Sequence, residues 1–231
     1  MSRRSTSSTP ARPAAKSPAE QTRAALIHAA LKLFGRQGYH ATSTREIAAL
    51  ARANIGSIAY HFGGKAGLRA ACANYIVEMI GQIAGAALAE PPETPADGAE
   101  AAQRQLHLIV ERMAGFVVAR PEAGEIVQFV LRELSQPSEA LDIIYDGVFD
   151  PVHRRLCGIW AAASGEDADS DRTRITVFTM IGQVIYFRIA REAVMRRMGW
   201  TGIGPQEAGM VVDVVSANLD AVLAARRKGK P

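Results

Sequence analysis

Cysteine is scarce: the 231-residue chain has only Cys72 and Cys157. Without a CxxC or a Cys/His cluster they exclude a zinc site, and two isolated thiols read as small core residues of a reducing compartment. No uninterrupted run of 18 uncharged apolar residues occurs, which excludes a membrane-spanning helix by that criterion. The first twenty residues hold arginines but no apolar segment, so they are not a secretory signal, and the expected address is the cytoplasm. GxSxG, HExxH and a glycine-rich phosphate loop are all missing, which removes the commonest hydrolase, metalloprotease and nucleotide-binding readings. No strand-like alternation of useful length and no internal repeat is found. Charged residues at 22% and hydrophobic residues at 48% exclude a wholly disordered chain.

What is present is unevenly charged. Residues 1–69 hold eleven Lys/Arg against two acids, Glu20 and Glu46, while residues 70–231 hold sixteen basic and 21 acidic residues. A basic first third on an acidic remainder indicates a polyanion-binding head and a body with another task.

Helical periodicity begins near Thr22. Residues 1–19, rich in Ser, Thr, Pro, Ala and Arg, are expected to form a disordered basic tail. Ile27, Ala30, Leu31 and Phe34 make one amphipathic stripe that Gly38 ends. Ser43 and Thr44 cap a short helix with Ile47 and Leu50 on its buried side. After a turn at Arg52–Asn54, a third short helix buries Ile58 and Phe62. Gly63-Gly64 breaks it, and a long helix runs from Lys65 to about Leu88. The stretch 90–98 reads as a linker. Beyond it, helix-length segments fall at about 99–119, 122–135, 138–163, 171–198 and 206–227, with a kink expected at Pro151. The fold class is all-α: an N-terminal three-helix domain (20–67) joined to a C-terminal helical domain (68–231).

Two short helices around a tight turn, inside a basic segment, form a helix-turn-helix over 43–62. Ala48, Ala49 and Ala51 let the two helices approach closely. Asn54, Gly56 and Ser57 are small enough for the second helix to enter a groove about 12 Å wide. Ser43, Thr44, Tyr60, His61 and Lys65 offer phosphate donors at its rim.

Residues 22–68 resemble the DNA-binding domain of the TetR family of bacterial repressors. The resemblance rests on Ala29, Ala30, Leu33 and Phe34, the Gly38-Tyr39 step, and the Thr42-Ser43-Thr44-Arg45 entry. It also rests on Ile47-Ala48, the Tyr60/Phe62 pair and Lys65 opening the fourth helix. It implies that Thr44 and Arg45 approach DNA, that Asn54, Ile55, Gly56 and Ser57 meet base edges, and that Tyr60, His61 and Lys65 hold phosphates. Tyr39 reads as a structural link, and Arg3, Arg4 and Arg12 as tail residues within reach of a minor groove. Arg52 departs from the family, which usually has glycine there; a left-handed turn costs an arginine ~1 kcal/mol.

The resemblance further implies a homodimer through the last two long helices, reading a near-palindromic operator on double-stranded DNA. Val211, Val212, Val215, Leu219, Val222 and Leu223 are the apolar stripe assigned to that contact. Segments 127–165 and 181–200 resemble the CecR-type regulators, which implies control of efflux or drug-sensitivity genes. A ligand-binding body implies a small-molecule site; candidate lining residues are Phe116, Phe129, Arg132, Glu133, Tyr145, His153, Trp160, Gln183, Tyr186 and Phe187. Arg132 and Gln183 interrupt apolar faces and need polar partners. No cofactor, metal or membrane is expected. The competing readings are a non-specific nucleic-acid-binding or nucleoid-type protein, and a metal-dependent enzyme using Asp142, Asp146, Asp150 and His153 along one helix.

Overall fold

The computed structural model describes residues 17–88 and 98–228. Among these residues the chain is helical, with no strand. The head comprises α1 (Pro18–Gln37), α2 (Thr44–Leu50) and α3 (Gly56–Phe62), and α4 (Lys65–Leu88) leads out of it. The body comprises α5 (Gly98–Val117), α6 (Glu122–Ser135), α7 (Glu139–Ile144), a π turn (Tyr145–Phe149), α8 (Asp150–Ser164), α9 (Asp171–Ile189), α10 (Arg191–Met198) and α11 (Pro205–Lys228). Most of the expected tail, 1–16, and of the expected linker, 90–97, lie outside the described residues. Ser17–Ala19, assigned to the tail, instead start α1: Ser17 is its N-cap in a reciprocal capping box with Glu20, and Pro18 fills the first turn.

Three apolar clusters hold the helices. The first joins Leu26, Leu31 and Phe34 of α1 to Ile47, Ile58, Leu68 and Ile76, and then to Ile126 and Phe129 of α6 and Ile144 of α7. Fully burying each such side chain contributes about 1.5–3 kcal/mol. Head and body therefore share one core across the expected boundary at residue 67. Helix α1 lies against α6 closely: a Cβ on Gly35 would stand 3.1 Å from the Phe129 backbone nitrogen and 3.2 Å from Gln128 Cβ. The other clusters lie among α5, α8, α9 and α11, one around Trp160 and Leu219 and one around Val184 and Val211.

Two further helix boundaries differ from expectation. The segment 171–198 is two helices, α9 and α10, broken at Ala190 (φ −95°, ψ 23°) without a Gly or Pro to announce it. The kink near Pro151 takes the form of a π turn. Pro151 has no N–H to bond four residues back, and just before it the Asp150 N–H bonds Tyr145 O, five residues back.

The valine stripe of α11 is corrected by its surroundings. Val211, Val215, Leu219 and Leu223 are buried within the subunit. The large apolar side chains that α11 leaves exposed are Met210 and Val214, and α9 exposes Ile175, Phe178, Tyr186 and Ile189. By length and composition, Pro205–Arg227 is apolar enough to cross a membrane, contrary to the exclusion drawn from uninterrupted runs. Asp213 and Asp220 interrupt the run, Asp220 faces His107 Nε2 at 2.8 Å, and the inner face is core, as suits a body helix.

Candidate nucleic-acid interface

The helix-turn-helix is built from local caps. The Ser43 hydroxyl accepts the Glu46 N–H at 3.1 Å and donates to Glu46 Oε2 at 2.8 Å, while that carboxylate also accepts the Ser43 N–H at 2.7 Å. These bonds hold the Glu46 carboxyl below its ordinary pKa, the Ser43 backbone bond being the largest cause. Ser43, assigned a phosphate contact, thus already has its hydroxyl committed to the start of α2. Arg52 adopts φ 52°, the only non-glycine residue with positive φ among those described. The left-handed turn expected there is present, held by the Ala53 N–H on Ala48 O at 2.9 Å. Asn54 Oδ1 accepts the Gly56 N–H at 2.8 Å, an Asx turn leading into α3 that leaves its amide NH₂ free to donate.

The tip presents Arg45, Asn54, Ile55, Gly56 and Tyr60 to solvent, with Thr44, Ser57, His61 and Lys65 half-buried around them. Tyr60 is 83% exposed and Ile55 49%, which is unusual for apolar side chains without a partner surface. Leu50, expected inside, is 46% exposed; Ile47 and Ala48 alone carry the buried side of α2. Ile58 is buried as expected, and Phe62 is half-buried with Arg23 at 5.6 Å over its ring.

Behind the tip stands a network that sequence reasoning did not assemble. Lys65 Nζ lies 4.3 Å from the Tyr39 ring centroid, and Arg69 Cζ lies 4.6 Å from it. Burial, then the neighbouring Arg69, holds the Lys65 ammonium below its ordinary pKa, while Glu46 pulls it upward. Arg69 in turn makes a bidentate pair with Glu133 of α6, at 2.8 and 2.7 Å. The i, i+4 spacing of Lys65 and Arg69 was the available signal; Glu133, 64 positions on, had none.

In the body, an apolar cavity of ≈ 40 Å³ lies between α5, α8, α9 and α11, lined by Leu106, Val110, Leu156, Trp160, Val177 and Leu219 among others. Of the ten candidate residues Trp160 lines it, whereas Phe116, Phe129, Arg132, Glu133, Tyr145, His153, Gln183, Tyr186 and Phe187 do not. Phe129 belongs to the shared core beside Phe34, and Phe187 and Phe116 pack in the Val184 cluster. Arg132 donates to the carbonyls of Gly35 and Arg36, at 3.3 and 3.1 Å. Gln183 accepts from Asn218 at 2.8 Å. His153 stacks on Phe178 at 3.9 Å and meets the Arg174 carbonyl at 3.2 Å. The polar interruptions therefore found partners inside the chain. Tyr145 and Tyr186 are exposed, and the Trp160 indole N–H donates to Glu166 at 2.9 Å. Of the acidic helix stripe, Asp150 pairs with Arg154, and no group of His, Cys, Asp and Glu suited to a metal occurs among the described residues.

Comparison with known proteins agrees with this architecture. Residues 26–72 match the family model for bacterial regulatory proteins of the tetR family. Residues 102–226 match the C-terminal domain of the HTH-type transcriptional dual regulator CecR. The HTH-type transcriptional dual regulator CecR of Shigella flexneri is 34% identical over 206 residues, covering 88% of this chain and 92% of that protein. Among solved structures, AibR in complex with isovaleryl coenzyme A and operator DNA superposes with a TM-score of 0.61 at 17% identity, covering 84% of this chain and 96% of that one. A TetR transcription regulator from Haloarcula marismortui gives 0.60 at 16% identity, covering 87% and 98%. With a head model over the exposed α2–α3 tip and a body model spanning α5 to α11, the chain belongs to the TetR family of bacterial DNA-binding transcriptional regulators, which are not enzymes, in the group with the CecR-type C-terminal domain.

Proposed function

We propose that this regulator is a homodimeric, ligand-released repressor that reads a near-palindromic operator in the cytoplasm. The observation that carries the reading is the pairing of two unsatisfied surfaces. One is the α2–α3 tip with Ile55 and Tyr60 in solvent; the other is the apolar outer face of α9 and α11, with Phe178, Tyr186 and Val214 each more than half exposed. The first fits a major groove, with Arg45, Asn54, Gly56 and Ser57 toward base edges and Thr44, Tyr60, His61 and Lys65 toward phosphates. The second fits a copy of itself: a C2 contact between α9–α11 pairs closes a four-helix bundle and sets two tips on one side of a duplex.

Ligand release rests on the apolar cavity beside Trp160. Its ≈ 40 Å³ is far below the roughly 300 Å³ of a small-molecule pocket. A ligand there binds only as α5, α8, α9 and α11 part, so it favours an expanded body over the closed one. That difference in affinity is what moves the heads. AibR, of the same fold, is known with both a coenzyme A ester and operator DNA. Control of efflux or drug-sensitivity genes is the corresponding proposal for the targets.

The test is selection of duplexes from a random pool, followed by binding with Ser57→Ala, Tyr60→Ala and Lys65→Ala. Each is expected to weaken binding, and Lys65→Ala also to flatten the salt dependence. Unchanged affinity and slope in all three would overturn the contact assignment.

A further inference from the structure

Glu133 does not line the cavity beside Trp160 and has no part in the proposed DNA contacts, yet among the described residues it is the one charged side chain fully in the core. It is 2% exposed and sits on α6 of the body. Its two oxygens accept Arg69 Nε and Nη2 at 2.8 and 2.7 Å, and Oε2 also accepts the Ser138 hydroxyl at 2.7 Å. Ser138 is itself the N-cap of α7, so the carboxylate ties together α4, α6 and the start of α7. A buried carboxylate holding a guanidinium in a fork fixes that guanidinium in orientation as well as in place.

Arg69 carries that constraint toward the DNA side. It lies over the Tyr39 ring, and Lys65, one turn earlier on α4, lies over the same ring. Tyr39 is backed by Phe34, ring centroids 5.5 Å apart, within the shared core. Two cations thus converge on one aromatic ring, and their mutual repulsion is relieved on the Arg69 side by Glu133. The Lys65 ammonium is held below its ordinary pKa first by burial and then by Arg69, in keeping with the same crowding.

We infer that Glu133 is a positioning residue for DNA binding: through Arg69 it holds Tyr39 and Lys65 where Lys65 meets a phosphate. The inference rests on the proposed role of Lys65. It gives the body a direct hold on an operator contact, because any movement of α6 relative to α4 shifts the fork and with it the Lys65 ammonium.

The experiment uses the full chain and a duplex enriched by the wild-type protein from a random pool, with dissociation constants measured by fluorescence anisotropy over a salt series. The proteins are wild type, Glu133→Gln, Ser138→Ala, Lys65→Ala and Lys65→Ala combined with each of the first two. Glu133→Gln is expected to weaken binding roughly five- to tenfold and to lower the salt slope by about one, the value of one lost phosphate contact. In the Lys65→Ala background it is expected to add nothing. Ser138→Ala is expected to shift both quantities the same way by less. A role confined to holding helices together would lower the melting temperature but leave affinity and slope as in wild type, and that result overturns the inference. So does a Glu133→Gln effect that multiplies in full with that of Lys65→Ala. If Glu133→Gln does not fold, the Ser138→Ala and Lys65→Ala cycle decides by the same criterion. A neutral Lys65→Ala overturns the phosphate assignment and this inference with it, whereas a weakened Lys65→Ala beside a neutral Glu133→Gln overturns this inference alone.

Discussion

Ser43 shows how a single side chain sets the start of an element. Its hydroxyl and N–H both engage Glu46, so Ser43→Ala is expected to cost about 1 kcal/mol in urea unfolding and to weaken operator binding only through the fraying of α2. Because the folded pKa of Glu46 is depressed, its charge contributes stability that is present above the ordinary carboxylate pKa and lost as pH falls through the folded value. The stability gap between wild type and Glu46→Gln should therefore be full near neutrality and close in acid; a gap independent of pH would contradict this. Arg52→Gly should raise stability by up to about 1 kcal/mol by relieving the left-handed arginine, read as a higher urea midpoint. Such local features were legible: caps and turns depend on neighbours in sequence. Leu50, Arg132 and Gln183 were not, because exposure and hydrogen-bond partners depend on segments far away in the chain. For Arg132 those partners are backbone carbonyls 96 and 97 positions off.

The helices are fastened at their C-terminal ends by arginines from elsewhere. Arg132 binds carbonyls in the last turn of α1, Arg155 binds Leu88 O of α4, Arg227 binds Ala163 O of α8, and Arg188 binds the carbonyl of Val117 at the end of α5 and those of Val118 and Arg120 just after it. A cation there satisfies orphan carbonyls and opposes the negative end of the helix dipole. Arg188→Ala leaves three carbonyls to find water, and a loss of about 1–3 kcal/mol is expected in thermal or urea unfolding. On the outer face of α9 and α11, Phe178→Glu or Val214→Glu should give a folded monomer by light scattering that no longer holds an operator. A dimer that persists in both would contradict the assigned face. Helix existence was readable from periodicity over nearly the whole chain. The direction of the α11 stripe was not, since an apolar face looks the same whether its own subunit or a partner covers it. Nor was the break at Ala190 readable, which no breaker residue marks.

Seen whole, the molecule is a small basic tip wired into a larger acidic body through one continuous core, with Gly35 packed closely against α6 and Glu133 as a buried charged link. Both cysteines are buried and their thiols pushed above the ordinary pKa by burial, so neither should react with an alkylating reagent until the body opens. Cys157 sits in the cluster that walls the cavity, which makes its alkylation rate a measure of that opening. The central claim is that two copies bind one duplex symmetrically, each through its α2–α3 tip. Nuclease footprinting of the duplex enriched from a random pool, with the mass of the complex, tests this most directly. The expected result is two chains, or a multiple of two, protecting two inverted half-sites on the spacing of a helical turn, about 10 base pairs or a multiple of it. A single asymmetric site bound by one chain, or no enriched sequence at all, would contradict the account.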